Sequence, residues 1–416
     1  MGPILIFDKS ALQSFSIDES VWLDNFFFTN ITPIFYVETL ADLSLSNAKK
    51  PPEKIISELA AKTPDALPNV HHGRLILGNF LGIPVEVKHG RPIVDQGKTK
   101  RAPNGEIGVE FDESPEAIAL RRWHKGQYHE VEREFANEWR NMLRSLSFDN
   151  ALGIVKNILP RDQRLTTLEQ IKVFVESFID GNSRELFFLS FDFLGIPDNR
   201  RPQILARWEK EGRPTLQHFA PYAAYVLSID LLFYIAALRG IISGERPSNK
   251  VDMAYLYYLP FCHVFVSGDK LHAKTAPLFM GVNQKFVKAS DLKEGLAKLN
   301  NYYLQFSDEI EEVGVMRFAQ SLPPEIQTVI HDLWDANKIP WRRNASKSKK
   351  SEPLSKESER ELLEKIKRFS DGSQAVDPKI LENMDDADHV VVKHRVSLQK
   401  GRWRILPKDI ENQESD

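Results

Sequence analysis

The spacing of apolar positions changes three times along the chain, and each change marks a region. Near the N-terminus PILIFD is apolar without interruption up to Asp8. A run of that kind suits a strand buried on both faces of a parallel sheet. In SIDESVWLDNFFFTN, Val21, Leu23, Phe26 and Phe27 fall at helical spacing. ITPIFYVETLADLSL then predicts a strand passing into a helix around Val37, with Glu38 and Asp42 one turn apart on a shared face.

From Pro51 to Pro214 the pattern is different. PPEKIISELAAKTP predicts a proline-bounded helix. Residues 83–111 are rich in Gly, Pro, Lys and Val and read as loops with short strands. SPEAIALRRWHKGQYHEVEREFANEWRNMLRSL predicts one long charged helical segment, with Ser114 as N-cap and Pro115 at its first position. TTLEQIKVFVESFIDG predicts a helix stopped by Gly181. Residues 51–214 are therefore expected to form a mostly helical insertion.

Alternating α/β character resumes near Thr215. YAAYVLSIDLLFYIAALRGIIS is nearly long enough to span a membrane, but Asp230 and Arg239 interrupt it, which predicts a buried core helix. VDMAYLYYLP predicts a short helix with Asp252 in its first turn, HVFVS a strand, and QKFVKASDLKEGLAKL a strand followed by a helix capped by Ser290. The expected core is thus discontinuous, residues 1–50 with 215–305, followed by a helical extension over 306–341. RRNASKSKKSEPLSKESE is polar and basic and predicts a flexible linker over 342–375. In the C-terminal segment 376–416, HVVVKHRVSLQKGRWRILP alternates around Gln399-Lys400-Gly401, a β-hairpin signal.

Composition narrows the function. The chain has 416 residues, 42% hydrophobic and 27% charged, which fits a folded protein with room for more than one domain. The formal net charge is −3, so a nucleic-acid partner must be held by local basic patches or metal ions. A single cysteine, Cys262, excludes a disulfide framework within the chain and a thiolate zinc site. It points to a reducing compartment. MGPILIFDKS lacks the basic region and long apolar run of a signal peptide. A cytoplasmic protein without membrane association is expected.

Four acids take comparable positions. Asp8 ends the first strand, Glu38 opens a helix after the second, Asp252 opens another helix, and Asp269 follows HVFVS. In a parallel sheet, strand carboxyl ends and the starts of the following helices share one edge, where ligands bind. Four carboxylates crowded there repel one another and cannot all stay ionised. A divalent cation removes the conflict, and oxygen-only ligands suit Mg²⁺ or Mn²⁺. Such ions activate water against phosphodiesters. Taken singly, Asp8 also reads as a cap or turn residue and Asp252 as an acid favoured by a helix dipole.

ILIFDKS, TPIFYVETLADL and VDMAYLYYLPFCHVFVSGDK resemble, in order and context, the acidic motifs of PIN-like nucleases. The likeness covers roughly the first 45 residues and 215–305, and the large insertion departs from compact members of that family. It implies a three-layer α/β/α core and metal-dependent cleavage of RNA or DNA. Asp8, Glu38, Asp252 and Asp269 would be the catalytic and metal-holding acids. Ser10, Asp42, Ser267 and Lys270 stand beside them as outer partners or phosphate contacts.

RNA is the expected substrate rather than DNA. Candidate phosphate grips are Lys98, Lys100 and Arg101 in a mobile loop, with Arg121 and Arg122; 49–50, 88–91, 200–201 and 347–350 are further basic clusters. Two alternatives stay open. One is a catalytically inactive scaffold that binds RNA or a protein partner, with the C-terminal hairpin as a partner surface and self-association equally open. The other is a metal-free ribonuclease using Arg122 and His129, which resemble the Arg and His of the helical HEPN-type enzymes, where His serves as acid or base. His71-His72 reads as a loop feature, since no third ligand stands nearby.

Overall fold

The computed structural model describes residues 2–45, 49–65, 67–87, 93, 97–103, 105, 107–111, 113–145, 147–159, 165–181, 183–244, 246–337, 339, 342, 373–377, 391–393 and 396–407. The chain begins β1 (Ile4–Phe7), α1 (Lys9–Ser14), α2 (Ile17–Phe26), β2 (Phe28–Ile31) and α3 (Pro33–Ala41). Next come α4 (Pro52–Lys62), β3 (Leu67–Pro68), α5 (His72–Phe80) and the paired β4 (Gly97–Arg101) and β5 (Ile107–Phe111). A helical stretch follows: α6 (Pro115–His124), α7 (Glu130–Ser145), α8 (Asp149–Ile158), α9 (Leu168–Asp180), α10 (Arg184–Phe193), α11 (Arg201–Lys210) and α12 (Leu216–Phe219). The long α13 (Pro221–Leu238) leads to α14 (Ser248–Tyr255), β6 (Val264–Ser267), α15 (Lys270–Thr275), β7 (Lys285–Lys288) and α16 (Ala289–Tyr303). The end carries α17 (Asp308–Glu312), α18 (Val315–Phe318), α19 (Val329–Ala336), β8 (Gln374–Ala375), β9 (Val391–Lys393), β10 (Gln399–Lys400) and β11 (Trp403–Arg404).

This is an α/β fold with a parallel central sheet, as the apolar runs imply. The strand order is β3-β2-β1-β6-β7, and every neighbouring pair is parallel. Leu5, Ile6 and Phe7 are almost wholly buried although successive side chains point to opposite faces, so both faces of the sheet are covered. On one face α2 and α16 pack together, touching β2 and β6. From β1 the chain moves outward to β2 and β3, then returns much later to lay β6 and β7 on the other side. Strand order therefore switches between β1 and β6, the place where open α/β sheets form a crevice at their carboxyl ends.

The region 51–214 is not all helix. It gives β3 to the central sheet, where Asn30 pairs with Leu67. Its charged segment breaks into α6 and α7 rather than one helix, because Gly126 takes φ +69° and ends α6. Residues 98–101 are not a loop. They form β4, paired with β5 and β8, in a second sheet ordered β8-β4-β5-β9. The helix after β7 begins at Ala289, so Lys288 and not Ser290 is its N-cap, and the Ser290 hydroxyl bonds Asp291 instead.

Helix α13 has the length and composition of a membrane span, yet most of it is buried inside the protein against α5, α8, α9 and α12. Its Asp230 is bonded to Lys250 and to the Tyr257 hydroxyl.

The predicted hairpin is the β10–β11 pair, and it docks on its own chain. Trp403 is buried, stacks edge-on to Trp22, and shares Asn300 Oδ1 with it at 2.9 Å each. Gly401 turns at φ +57°; a Cβ there would collide with the Asp18 carboxylate. The basic linker 342–375 lies outside the described residues apart from 342 and 373–375, and so do the clusters 88–91 and 347–350.

Candidate active site

Two short helices start at the switch point. Asp8 follows β1 and caps α1, its Oδ1 accepting from Ala11 N at 2.8 Å. Asp269 follows β6 and caps α15 by accepting from Leu271 N. The β1–β6 register sets Phe7 opposite Val266, so the next residues, Asp8 and Ser267, are neighbours. Ser267 Oγ donates to Asp8 Oδ2 at 2.7 Å and accepts from Asp269 N at 2.9 Å. The Ser10 hydroxyl lies 2.8–2.9 Å from both Asp8 oxygens and accepts from Gly268 N at 3.0 Å. A small set of hydroxyls thus ties the two loops together. A Cβ at Gly268 would stand 3.0 Å from Ser10 Oγ, so a larger residue there would crowd this hydroxyl.

His272 was not singled out from the sequence, and it lies at the centre. It is fully buried. Its Nε2 is 2.8 Å from the Asp252 carbonyl oxygen, which requires a proton on that nitrogen. Its Nδ1 is 2.8 Å from Ser267 Oγ and 3.3 Å from Asp8 Oδ2. Burial works against the imidazolium, but the hydrogen bond and charge of Asp8 outweigh it and hold the imidazole above its usual range. For Asp8 burial raises the carboxyl, and the bond and charge from His272, with Ser267 and Ala11, bring it below the carboxylate range. The available sequence signal was Asp269-Lys-Leu-His272, an acid and a histidine one turn apart at a helix start.

Glu38 and Asp252 enter from two other helices, further along than their expected positions. The helix bearing Glu38 starts at Pro33, so Glu38 lies in its second half rather than at its opening. α14 starts at Ser248, which puts Asp252 in the second turn, not the first. Pro33 accounts for the first shift, because its fixed φ suits the first helical position. The Tyr255 hydroxyl donates to Glu38 Oε2. Burial raises the Glu38 carboxyl, offset in part by the charge of Lys9 and the bond from Tyr255. Lys9 Nζ bonds the Glu38 carbonyl at 3.1 Å and Asp42 Oδ1 at 2.9 Å, so Asp42 forms an ion pair beside the site.

Asp252 is the least satisfied of the four. Its carboxylate accepts no hydrogen bond from any described residue. Burial first, then the charges of Glu38, Asp269 and Asp8, push it up to about 7 against the opposing charge of His272. Asp252 thus senses the other three acids at this edge of the sheet.

The remaining candidates go elsewhere. Lys270 is exposed at the start of α15. Lys100 pairs with Glu110 across the β4–β5 ladder, and Lys98 and Arg101 belong to the same strand. Arg121 pairs with Glu113. Arg122 forms a two-point ion pair with Glu132, and His129 N donates to that same carboxylate at 2.7 Å. His71 caps α5, while His72 is bonded to the Tyr258 hydroxyl and held down to about 3 by burial.

The donor chemistry at the edge fits a hard divalent cation: oxygen ligands, mutual repulsion, and an unbonded carboxylate at Asp252. The cage is not closed as the side chains stand. Among the described residues, no three acidic, histidine or cysteine groups converge to ligand distance. Comparison with protein-family models, with curated proteins and with solved structures finds no match.

Proposed function

We propose that this protein is a metal-dependent nuclease of PIN-like architecture that hydrolyses phosphodiester bonds of RNA. The observation carrying the reading is Asp252, a carboxylate without a hydrogen bond among the described residues, raised to about 7 near three other acids at a strand-order switch point. Asp252, Glu38, Asp269 and Asp8 would hold one or two Mg²⁺ or Mn²⁺ ions. A bound ion supplies Lewis acidity to the phosphate and lowers the pKa of its own water. Ser10, Ser267 and His272 fix the Asp8 carboxylate, and Tyr255 fixes Glu38. While no cation is bound, the His272 imidazolium offsets part of the negative charge.

A second reading has its own support. Asp8 and Asp269 both cap helices, and Asp8 is saturated with hydrogen bonds, which also suits a scaffold that binds RNA without cutting it.

The test is cleavage of labelled single-stranded RNA and DNA with Mn²⁺ by the wild type and by Asp269→Asn. Asparagine is as good an N-cap as aspartate, so the fold is retained. Cleavage that needs the cation and disappears in the variant supports the nuclease. Equal cleavage by both proteins, or no rise in melting temperature with Mn²⁺ at saturating concentration, sinks it.

A further inference from the structure

A cleft of about 800 Å³ is lined by α7, the start of α8, the last residue of α3 and the segment that leads into α14. Three arginines line it: Arg140 and Arg144 on one face of α7, and Arg246 just before α14. None of the three makes a hydrogen bond or ion pair among the described residues. Elsewhere on this surface Arg122, Arg133, Arg207 and Arg213 are all paired with glutamates. One carboxylate lines the cleft, Asp149, and it is bonded to the Ser147 hydroxyl at 2.7 Å. The cleft is therefore strongly cationic in a chain of formal net charge −3.

Two more features indicate what fills it. Trp139 lines the same cleft, half-buried, and stacks on Phe135 with the rings 20° apart. A half-exposed indole beside free guanidinium groups forms a base-stacking platform next to a phosphate track. The cleft also ends within a helical turn of two of the acids. Its lining residue Ala41 lies one turn beyond Glu38 on α3, and Ser248 lies one turn before Asp252 on α14. One helical turn is ~5 Å.

We infer that this arginine-lined cleft binds single-stranded nucleic acid, with backbone phosphates on Arg140, Arg144 and Arg246 and a base on Trp139, and that it feeds the strand across the acid edge. The inference rests on the nuclease reading for its direction, since the acid edge is where the strand would be cut. Phosphate contacts of this kind hold any sequence. The cleft favours a single strand because stacking on Trp139 needs an unpaired base.

Binding of a short fluorescein-labelled single-stranded RNA to the full chain, followed by anisotropy in EDTA over a salt series, tests this. The triple variant Arg140→Ala, Arg144→Ala, Arg246→Ala should bind at least about tenfold more weakly. Its log–log salt slope should be shallower by about 2, from three lost contacts at ~0.7 each. Trp139→Ala should cost about tenfold with the salt slope unchanged. Arg144 and Arg246 are exposed and none of the three arginines has a partner among the described residues, so the triple variant should melt with the wild type. A control removes three exposed cations elsewhere, Lys125, Lys210 and Lys285. Unchanged affinity and slope in the triple variant, or equal losses in the control, would overturn the inference. RNA binding lost in the triple variant, with no Mn²⁺-dependent cleavage by the wild type, would support the cleft and remove the nuclease reading. Mn²⁺-dependent cleavage with unaltered binding in the triple variant would do the reverse.

Discussion

Helix α14 separates a buried carboxylate, Asp230, from a half-buried one, Asp252, and the two have been treated in opposite ways. Lys250 and Asp252 are two residues apart on it and so point in different directions. On one side Lys250 reaches Asp230 of α13, and the Tyr257 hydroxyl bonds the same carboxylate, with Lys250 Nζ 2.7 Å from that hydroxyl. On the other side Asp252 faces Glu38, Asp269 and Asp8, opposed by the charge of His272 alone and with no hydrogen-bond donor among the described residues. A carboxylate kept for stability is paired, because an uncompensated buried charge costs several kcal/mol. A carboxylate left among like charges is unfavourable until something positive arrives. That difference, more than burial itself, is what the nuclease reading rests on.

The comparison is broken most forcefully by activity. Asp252→Asn should lower Mn²⁺-dependent RNA cleavage by about a thousandfold, equivalent to ~4 kcal/mol of lost transition-state stabilisation. Its melting temperature should hold or rise, because a repulsive charge has gone. A variant that keeps full turnover removes Asp252 from the working site.

Asp230→Ala should do the opposite. It strands the Lys250 charge and should cost ~3 kcal/mol in denaturant titration, seen as a lower midpoint. A midpoint equal to the wild type would mean that the Asp230–Lys250 pair contributes nothing.

Ser267→Ala removes the hydroxyl that links Asp8, Asp269 and His272. It should cost about 1–3 kcal/mol of stability and weaken Mn²⁺ binding in calorimetry. Unchanged affinity for Mn²⁺ would show that the hydroxyl does not position these acids for a cation.

A subtler distinction lies in pH. The Asp252 carboxyl is raised from an ordinary carboxylate value to about 7, so the folded protein holds that proton more tightly than the unfolded chain. Its contribution to stability is present at low pH and is lost as pH rises through about 7. In chelated protein the melting temperature of the wild type should therefore fall, relative to Asp252→Asn, between about pH 4 and about pH 7 and level off above that. Parallel pH profiles for the two proteins would remove the raised carboxyl from the account.

The smallest effect is expected at Arg122. Arg122→Ala breaks a surface-side pair with Glu132, costing about 1 kcal/mol or less, and should leave cleavage unaltered. A lost activity there would instead revive the metal-free mechanism.

Much of the central sheet was readable because β1 and β6 are continuous apolar runs, and only strands covered on both faces tolerate that. The acids were readable by position, since each sits within or just after a segment whose element type the pattern predicts. Their offsets within the helices were not, because Pro33 and Ser248 start those helices earlier than the apolar spacing indicates. Residues 98–101 were misplaced because Gly, Lys and Pro favour loops locally, while the ladder to β5 is a long-range pairing that local pattern does not carry. His272 escaped notice because its partners are Asp8, 264 residues away, and a backbone carbonyl on another helix.

By itself the sequence determined the strands β1 and β6, the apolar core helix, and the acidic residue types available at strand ends, since these follow from side-chain periodicity and donor type. Tertiary structure alone decided which acids would be neighbours, which would be paired, and where free arginines would gather beside them. Those outcomes depend on parallel strands and helices meeting across hundreds of residues. Charge energetics depends on distance and burial in the folded state, neither of which a linear pattern contains.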